Sequence, residues 1–97
     1  MDNRFATRHD ASDNEGEIIM LDDGNAIGFL SYRKKDNMIY VEHVKVNDKY
    51  KGMGLGKVLL DEMVSFAVEN DCKIVAVCAF VKHMFQRNEE YAFIRHE

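Results

Sequence analysis

The sequence has no proline, only two cysteines among its 97 residues and no excess of basic side chains. Because the formal net charge is −4 and no basic stripe is present, the composition argues against broad nucleic-acid binding. Apolar runs are only a handful of residues long, too short to span a membrane. The first residues, Met1–Arg4, do not lead into a signal-peptide core, so we expect neither membrane nor nucleic acid among the partners.

The two cysteines are not expected to pair with each other. Cys72 and Cys78 flank an apolar segment, and if that segment is a strand their Cα atoms lie roughly 20 Å apart at about 3.3 Å per residue. A disulfide requires a Cα separation below about 7 Å. Free thiols are typical of a reducing compartment, so we expect a cytoplasmic protein. No cysteine or histidine spacing resembles a zinc site, and no metal is expected.

The composition is that of one ordinary globular domain. Apolar residues make up 46% of the chain and charged residues 31%, which separates it from disordered sequences. Because 97 residues can bury only one modest core, we expect a single domain over residues 1–97.

The first half of the chain has the alternating pattern of β-strands. A short edge strand is predicted at Phe5–Arg8, followed by a polar turn at Asp10–Asn14. Further strands are predicted at Glu17–Leu21, Ala26–Arg33 and Met38–Val46. Strict alternation in the last strand puts Val44 and Val46 on one face and His43 on the other, with Ile39 and Val41. Turn residues at Asp22–Asn25 and Lys34–Asn37 predict an antiparallel meander.

The second half changes to a helical period. Apolar residues recur at helical spacing from Leu55, with Val68 in the stripe, and the helix should end near Asn70. Ile74–Val77 is apolar on both faces and predicts a buried strand, and a last helix is predicted at Val81–Arg87. Strand, helix and buried strand form a parallel βαβ crossover, so the chain is predicted to be an α/β protein with a mixed sheet.

A glycine-rich turn precedes the predicted long helix. Its residues are Lys51, Gly52, Met53, Gly54, Leu55, Gly56 and Lys57. Alternating glycines let backbone N–H groups converge on an anion at the helix N-terminus. A Walker phosphate loop would need Ser or Thr where Val58 stands, and a Rossmann fingerprint contradicts the upstream antiparallel meander. The remaining interpretation is the pyrophosphate loop of an acyl-coenzyme A transferase.

The residues around this turn carry a family resemblance. The GNAT superfamily of N-acetyltransferases has the motif Gln/Arg-x-x-Gly-x-Gly/Ala, and Lys51–Gly56 resembles it with lysine in the first position. The short chain is most similar to the small YjdJ-type branch of GNAT-like proteins. That branch carries a histidine segment before the loop, where His43 stands, and a cysteine after the fifth strand, where Cys78 stands. The resemblance covers nearly the whole chain from Phe5.

The resemblance implies a GNAT fold and a site for acetyl-coenzyme A between the fourth and fifth strands. The glycine-rich turn would hold the pyrophosphate, and the strand carrying Val44 and Val46 would pair with the pantetheine amides. Cys78 and His43 are the implied catalytic residues. The acetyl group then passes to an unidentified amine, either by direct attack or through the Cys78 thiol. Phe85 stands about where larger members have a tyrosine acid, which favours the alternative of a non-catalytic acyl-coenzyme A sensor or subunit.

Overall fold

The fold is built on a sheet whose strands lie in the order in which they occur in the chain. The computed structural model describes residues 4–96. Within them the strands are β1 (Phe5–Ala11), β2 (Glu15–Asp22), β3 (Asn25–Lys35), β4 (Met38–Val46) and β5 (Lys73–Ala76). The helices are α1 (Leu55–Glu69) and α2 (Ala79–Arg87), with short 3₁₀ turns at Asp48–Tyr50 and Glu89–Tyr91. In this part of the chain, neither helix is long and apolar enough to cross a bilayer.

Strands β2 to β4 form the predicted antiparallel meander, and β1 extends it by pairing antiparallel with β2. The turn between β2 and β3 is tight because Asp23 (φ 47°) and Gly24 (φ 84°) both adopt positive φ, as a two-residue hairpin turn of the primed type requires. The predicted polar turn at Asp10–Asn14 was wrong at its start. Asp10 pairs with Glu17, so β1 extends to Ala11. The backbone pairing of β1 with β2 outweighs the preference of one aspartate for turns.

The predicted crossover is confirmed by the parallel pairing of β4 with β5. Helix α1 covers the predicted residues and ends at Glu69, beside the predicted stop. A C-terminal segment then returns to the far edge of β5. There Ile74 N–H donates to Ile94 C=O at 2.8 Å and His96 N–H donates to Ile74 C=O at 2.8 Å.

Both helices pack on one face of the sheet. The core between them contains fully buried side chains from β2 to β5 and α1, and from α2 it contains Val81 and Phe85. We call the other side of the sheet the open face, because no described helix covers it. Strand β5 ends at Ala76, its residues Val75 and Ala76 are only half-buried, and Val77 beyond it is 47% exposed, so the expectation of a strand Ile74–Val77 buried on both faces was wrong. Val68 is 51% exposed and lies outside the apolar stripe of α1.

Candidate functional site

The two parallel strands separate at Val41. The last β4–β5 pair joins Val41 to Ala76, and the N–H groups of Val77 and Cys78 both donate to the Val41 carbonyl at 3.1 Å. Strand β4 then continues to Val46, about 17 Å further at 3.3 Å per residue. Along that stretch no described strand pairs with its second edge. The result is a wedge-shaped gap with Cys78 at its vertex.

The backbone of β4 points into this gap at alternate residues. The Asn47 N–H donates to the Ile27 carbonyl of β3 at 2.8 Å. Because strand backbone groups alternate in direction, Lys45 also faces β3, and the N–H and C=O groups of Val44 and Val46 face the gap. These groups are therefore available to pair with an extended ligand.

A β-bulge changes which side chains of β4 share a face. Ser31 pairs with His43 and Tyr32 with Val41, so Glu42 is an extra residue in β4. Beyond it Val44 and Val46 pack against the core, whereas His43 is exposed on the open face.

The prediction that His43 shares a face with Ile39 and Val41 was therefore wrong. Among residues 4–96, no hydrogen bond joins His43 to Cys78. His43 lies on the open face, and Cys78 packs against the core beside the helices.

The glycine-rich turn leads into α1 without a side-chain cap. Gly52 (φ 83°) and Gly54 (φ 75°) adopt positive φ, and no heavy atom lies within 4 Å of a Cβ built at either position. Gly54 is the N-cap, and the first helical hydrogen bond is from Val58 N–H to Gly54 C=O at 3.2 Å. The N–H groups of Leu55, Gly56 and Lys57 precede it and have no partner within the helix. Free N–H groups at a helix N-terminus are a geometry that suits an anion.

Gly56 serves a different purpose from the other two glycines. A Cβ at Gly56 would lie 2.9 Å from Cζ of Phe80, closer than real Cβ contacts allow. The third glycine therefore lets α2 pack closely on the first turn of α1. The positive φ angles that require glycine occur at Gly52 and Gly54, whereas Gly56 is required by its contact with Phe80.

A cavity of about 450 Å³ lies between this turn, β4 and α2. Eight predicted cofactor-binding residues line it, namely Val44, Val46, Lys51, Gly52, Gly54, Leu55, Gly56 and Lys57. The ninth, Met53, is 50% exposed and is not among the lining residues. Four further lining residues were not predicted from the sequence, namely Asp48, Tyr50, Phe80 and Met84. The i, i+4 spacing of Phe80 and Met84 is the signal that could have identified a second apolar stripe on α2.

The two lysines of the turn differ in their surroundings. The Lys57 ammonium contacts Asp61 Oδ2 at 2.9 Å and Glu90 Oε1 at 3.2 Å. Hydrogen bonds with Asp61, Tyr91 and Glu90 raise the pKa of Lys57 above its ordinary value. Lys51 is exposed, and its side chain makes no ion pair within residues 4–96. Its charge is therefore available to a bound anion.

Tyr91 connects the C-terminal segment to α1, and we expect this contact to make stability depend on pH in the alkaline range. The Tyr91 hydroxyl donates to Asp61 Oδ1 at 2.7 Å. Burial and this bond raise the pKa of Tyr91 to about 12. Because the unfolded tyrosine releases its proton near pH 10, stability that is present below pH 10 is lost as the pH rises to about 12.

Urea unfolding at pH 8 and pH 12 tests this expectation. Tyr91→Phe should lose about 1–3 kcal/mol less stability over this range than the wild type. Tyr40→Phe is the matched control, because the Tyr40 hydroxyl makes no hydrogen bond to any described residue. Equal pH dependence in all three proteins would contradict the role given to Tyr91.

The remaining predicted residues are the two cysteines and Phe85. Both cysteines are free, as expected, with Cys72 buried in the core and Cys78 half-buried at the N-cap of α2. The Cys78 side chain makes no capping hydrogen bond, so it leaves the first N–H groups of α2 unsatisfied. Phe85 is buried and packs against Tyr91, with ring centroids 5.5 Å apart, so its position contributes to the core.

Comparison with known proteins accords with this architecture. The family model described as "GCN5-related N-acetyl-transferase" matches residues 16–94. The chain belongs to the GCN5-related N-acetyltransferase family. The resemblance inferred from the glycine-rich turn is thereby confirmed, and so are the mixed sheet and its crossover.

Solved structures of GCN5-related N-acetyltransferases are similar to this chain. A GCN5-like candidate N-acetyltransferase from Staphylococcus aureus, solved by NMR, is 32% identical, with a TM-score of 0.74 over 98% of this chain and 91% of that one. A candidate streptothricin acetyltransferase from Bacillus anthracis, in complex with acetyl coenzyme A, is 26% identical, with a TM-score of 0.63 over 77% and 46% of the two chains. A GNAT family acetyltransferase from Elizabethkingia anophelis with acetyl-CoA bound shares the fold at 11% identity and a TM-score of 0.71, over 89% and 75%.

Proposed function

We propose that the protein transfers the acetyl group of acetyl-coenzyme A to an amine, with the coenzyme in the gap between β4 and β5. The observation that carries the proposal is a continuous ligand path. The free backbone edge at Val44 and Val46 leads from the vertex at Cys78 to the uncapped N-terminus of α1. Similar structures from two other bacteria hold acetyl-coenzyme A. Membership of an acetyltransferase family supports the same chemistry.

The cavity fits the two chemically different parts of this substrate. The pyrophosphate would accept hydrogen bonds from the N–H groups of Leu55, Gly56 and Lys57, with Lys51 supplying the charge. The pantetheine amides would pair with the β4 edge as a neighbouring strand does. Phe80 and Met84 form an apolar wall beside this path.

The proposed reaction has two steps and begins at Cys78, at the vertex of the gap. The Cys78 sulfur attacks the thioester carbonyl, the bond to the coenzyme A sulfur breaks, and the departing sulfur takes the proton that Cys78 loses. The acceptor nitrogen then attacks the acetyl-cysteine. The C–S bond breaks and the Cys78 sulfur leaves as thiolate. His43, on the open face, takes the proton of the nitrogen through a water, and the thiolate regains a proton from solvent. The one-step alternative is direct attack of the amine on acetyl-coenzyme A, with His43 or a water as base.

The open face is the proposed entry side for the amine. His43, Ser31 and Glu17 occupy one cross-strand row on that face. A cavity of about 580 Å³ lies next to the row and includes Ile19, Phe29 and Glu17 in its lining. An apolar floor with a carboxylate at the rim suits an amine that carries an apolar group.

The free cysteines support the expectation of a reducing, cytoplasmic location.

The test is transfer of labelled acetyl groups from acetyl-coenzyme A to a panel of primary amines. The wild type should acetylate at least one amine, and His43→Gln should reduce kcat by about 10²- to 10⁴-fold, the usual contribution of a general base. His96→Gln is the matched control, because His96 is exposed at the far edge of β5. Binding of acetyl-coenzyme A without any transfer would favour the sensor alternative. An unchanged rate in His43→Gln would refute the base role.

A further inference from the structure

Helix α2 carries a second row of side chains beside the row that faces the core. Phe80 and Met84 line the cavity of the glycine-rich turn. His83 follows Phe80 by three residues, and Arg87 follows Met84 by three. At helical spacing all four side chains therefore share one side of the helix. Both His83 and Arg87 are exposed, and Arg87 Nη1 lies 3.3 Å from His83 Nε2. The apolar wall of the cavity therefore continues into a basic pair.

This pair is not engaged by acidic side chains. Within residues 4–96, no carboxylate lies within ion-pair distance of His83 or Arg87, in contrast to Lys57. Helix α2 contains no acidic residue, although the whole chain has a net charge of −4. A guanidinium with one hydrogen bond to imidazole keeps further N–H donors for a planar or tetrahedral anion.

We propose that His83 and Arg87 bind the 3′-phosphate of coenzyme A, which rests on the proposed site for the coenzyme. The pyrophosphate at the start of α1 is separated from this phosphate by one ribose. Arg87 lies about 4.5 Å beyond Met84 along the axis of α2, and Met84 is one of the residues that line the cavity. A terminal phosphate carries a charge of about −1.5 to −2 near neutral pH and accepts charge-assisted hydrogen bonds from arginine. The pair thus assigns the adenosine end of the substrate to α2.

The test compares the Kd of coenzyme A with that of 3′-dephospho-coenzyme A by calorimetry. The wild type should bind coenzyme A about tenfold or more tightly, as expected for a charge-assisted contact. In Arg87→Gln this preference should disappear, with affinity lost for coenzyme A and retained for the dephospho form. His83→Gln should reduce the preference partially. Lys82→Gln is the matched control, because it removes one positive charge from another side of α2. There Lys82 lines a different cavity with Gln86 and Glu89. This variant should keep the preference for coenzyme A.

The outcomes separate this inference from the proposal on which it rests. If neither ligand binds the wild-type protein, the coenzyme site itself is wrong. If both ligands bind equally well, the 3′-phosphate has no subsite. If Arg87→Gln weakens both ligands to the same extent, or keeps the preference, the phosphate is bound elsewhere. Because Arg87 is exposed, its replacement should leave the circular dichroism spectrum unchanged.

Discussion

Replacing Gly54 with aspartate is expected to abolish the thermal stabilisation that acetyl-coenzyme A gives the wild-type protein. At a hundredfold excess over Kd, a ligand that binds only the folded state adds about 2.7 kcal/mol, or roughly 10–20 °C in Tm for a domain of this size. An aspartate at the N-cap of α1 would accept hydrogen bonds from the same N–H groups that are proposed to bind the pyrophosphate. Its negative charge would also repel the phosphates. Melting curves with and without ligand measure the effect.

The control for this variant is Gly24→Asp. Gly24 also has positive φ (84°) and an open space around its missing Cβ, but it lies in the β2–β3 turn. Both variants place a side chain at a left-handed position, which costs about 1 kcal/mol without ligand, and in Gly54→Asp the new N-cap hydrogen bonds offset part of this cost. Only Gly54→Asp should also lose the ligand-induced shift. A full shift in Gly54→Asp would mean that the coenzyme does not use this turn.

The second large effect is expected at Cys78. Incubation with acetyl-coenzyme A alone should add one acetyl group to the protein, and hydroxylamine should remove it, since it cleaves thioesters and leaves amides intact. Cys78→Ala should lose the adduct and at least about a thousandfold in turnover, because it removes the nucleophile. Binding of coenzyme A should persist, because the proposed phosphate contacts come from the start of α1 and the far end of α2 and do not involve the Cys78 side chain. Intact-protein mass spectrometry and steady-state kinetics provide the measurements.

Cys72 offers a matched control. It is 3% exposed and packs in the core, so Cys72→Ala should cost stability but retain the acetyl adduct. If Cys78→Ala continues to transfer acetyl groups at nearly the wild-type rate, the amine attacks acetyl-coenzyme A directly. Cys78 would then be only a half-buried apolar residue at the start of α2.

Much of the fold could be predicted because local patterns and tertiary packing agree. The Asp23–Gly24 turn, the bounds of β4 and the end of α1 all follow from short-range chemistry. The faces of β4 could not be predicted in the same way. The extra residue at Glu42 is visible only through the pairing of His43 with Ser31 and of Val41 with Tyr32, that is, through a shift in register that the alternation within β4 alone does not show.

The candidate site also has one part that the local sequence predicts and another that depends on tertiary structure. The glycine-rich turn was recognisable because positive φ at Gly52 and Gly54 requires glycine. Phe80 and Met84 were missed because apolar residues at helical spacing normally indicate core packing. The engagement of Lys57 by Glu90 was also hidden, since it depends on where the C-terminal segment returns.

The close packing of Gly56 on Phe80 implies coupled evolution of the two positions. A methyl group at position 56 would lie 2.9 Å from the Phe80 ring, so alanine there requires the ring to shift or position 80 to carry a smaller side chain. Among homologues that keep this helix arrangement, the two positions should covary, with glycine accompanying a large partner and alanine a small one. Because Phe80 also lines the cavity proposed for the coenzyme, each such paired exchange would reshape one wall of that cavity. A requirement of helix packing would thereby restrict how the cavity can change.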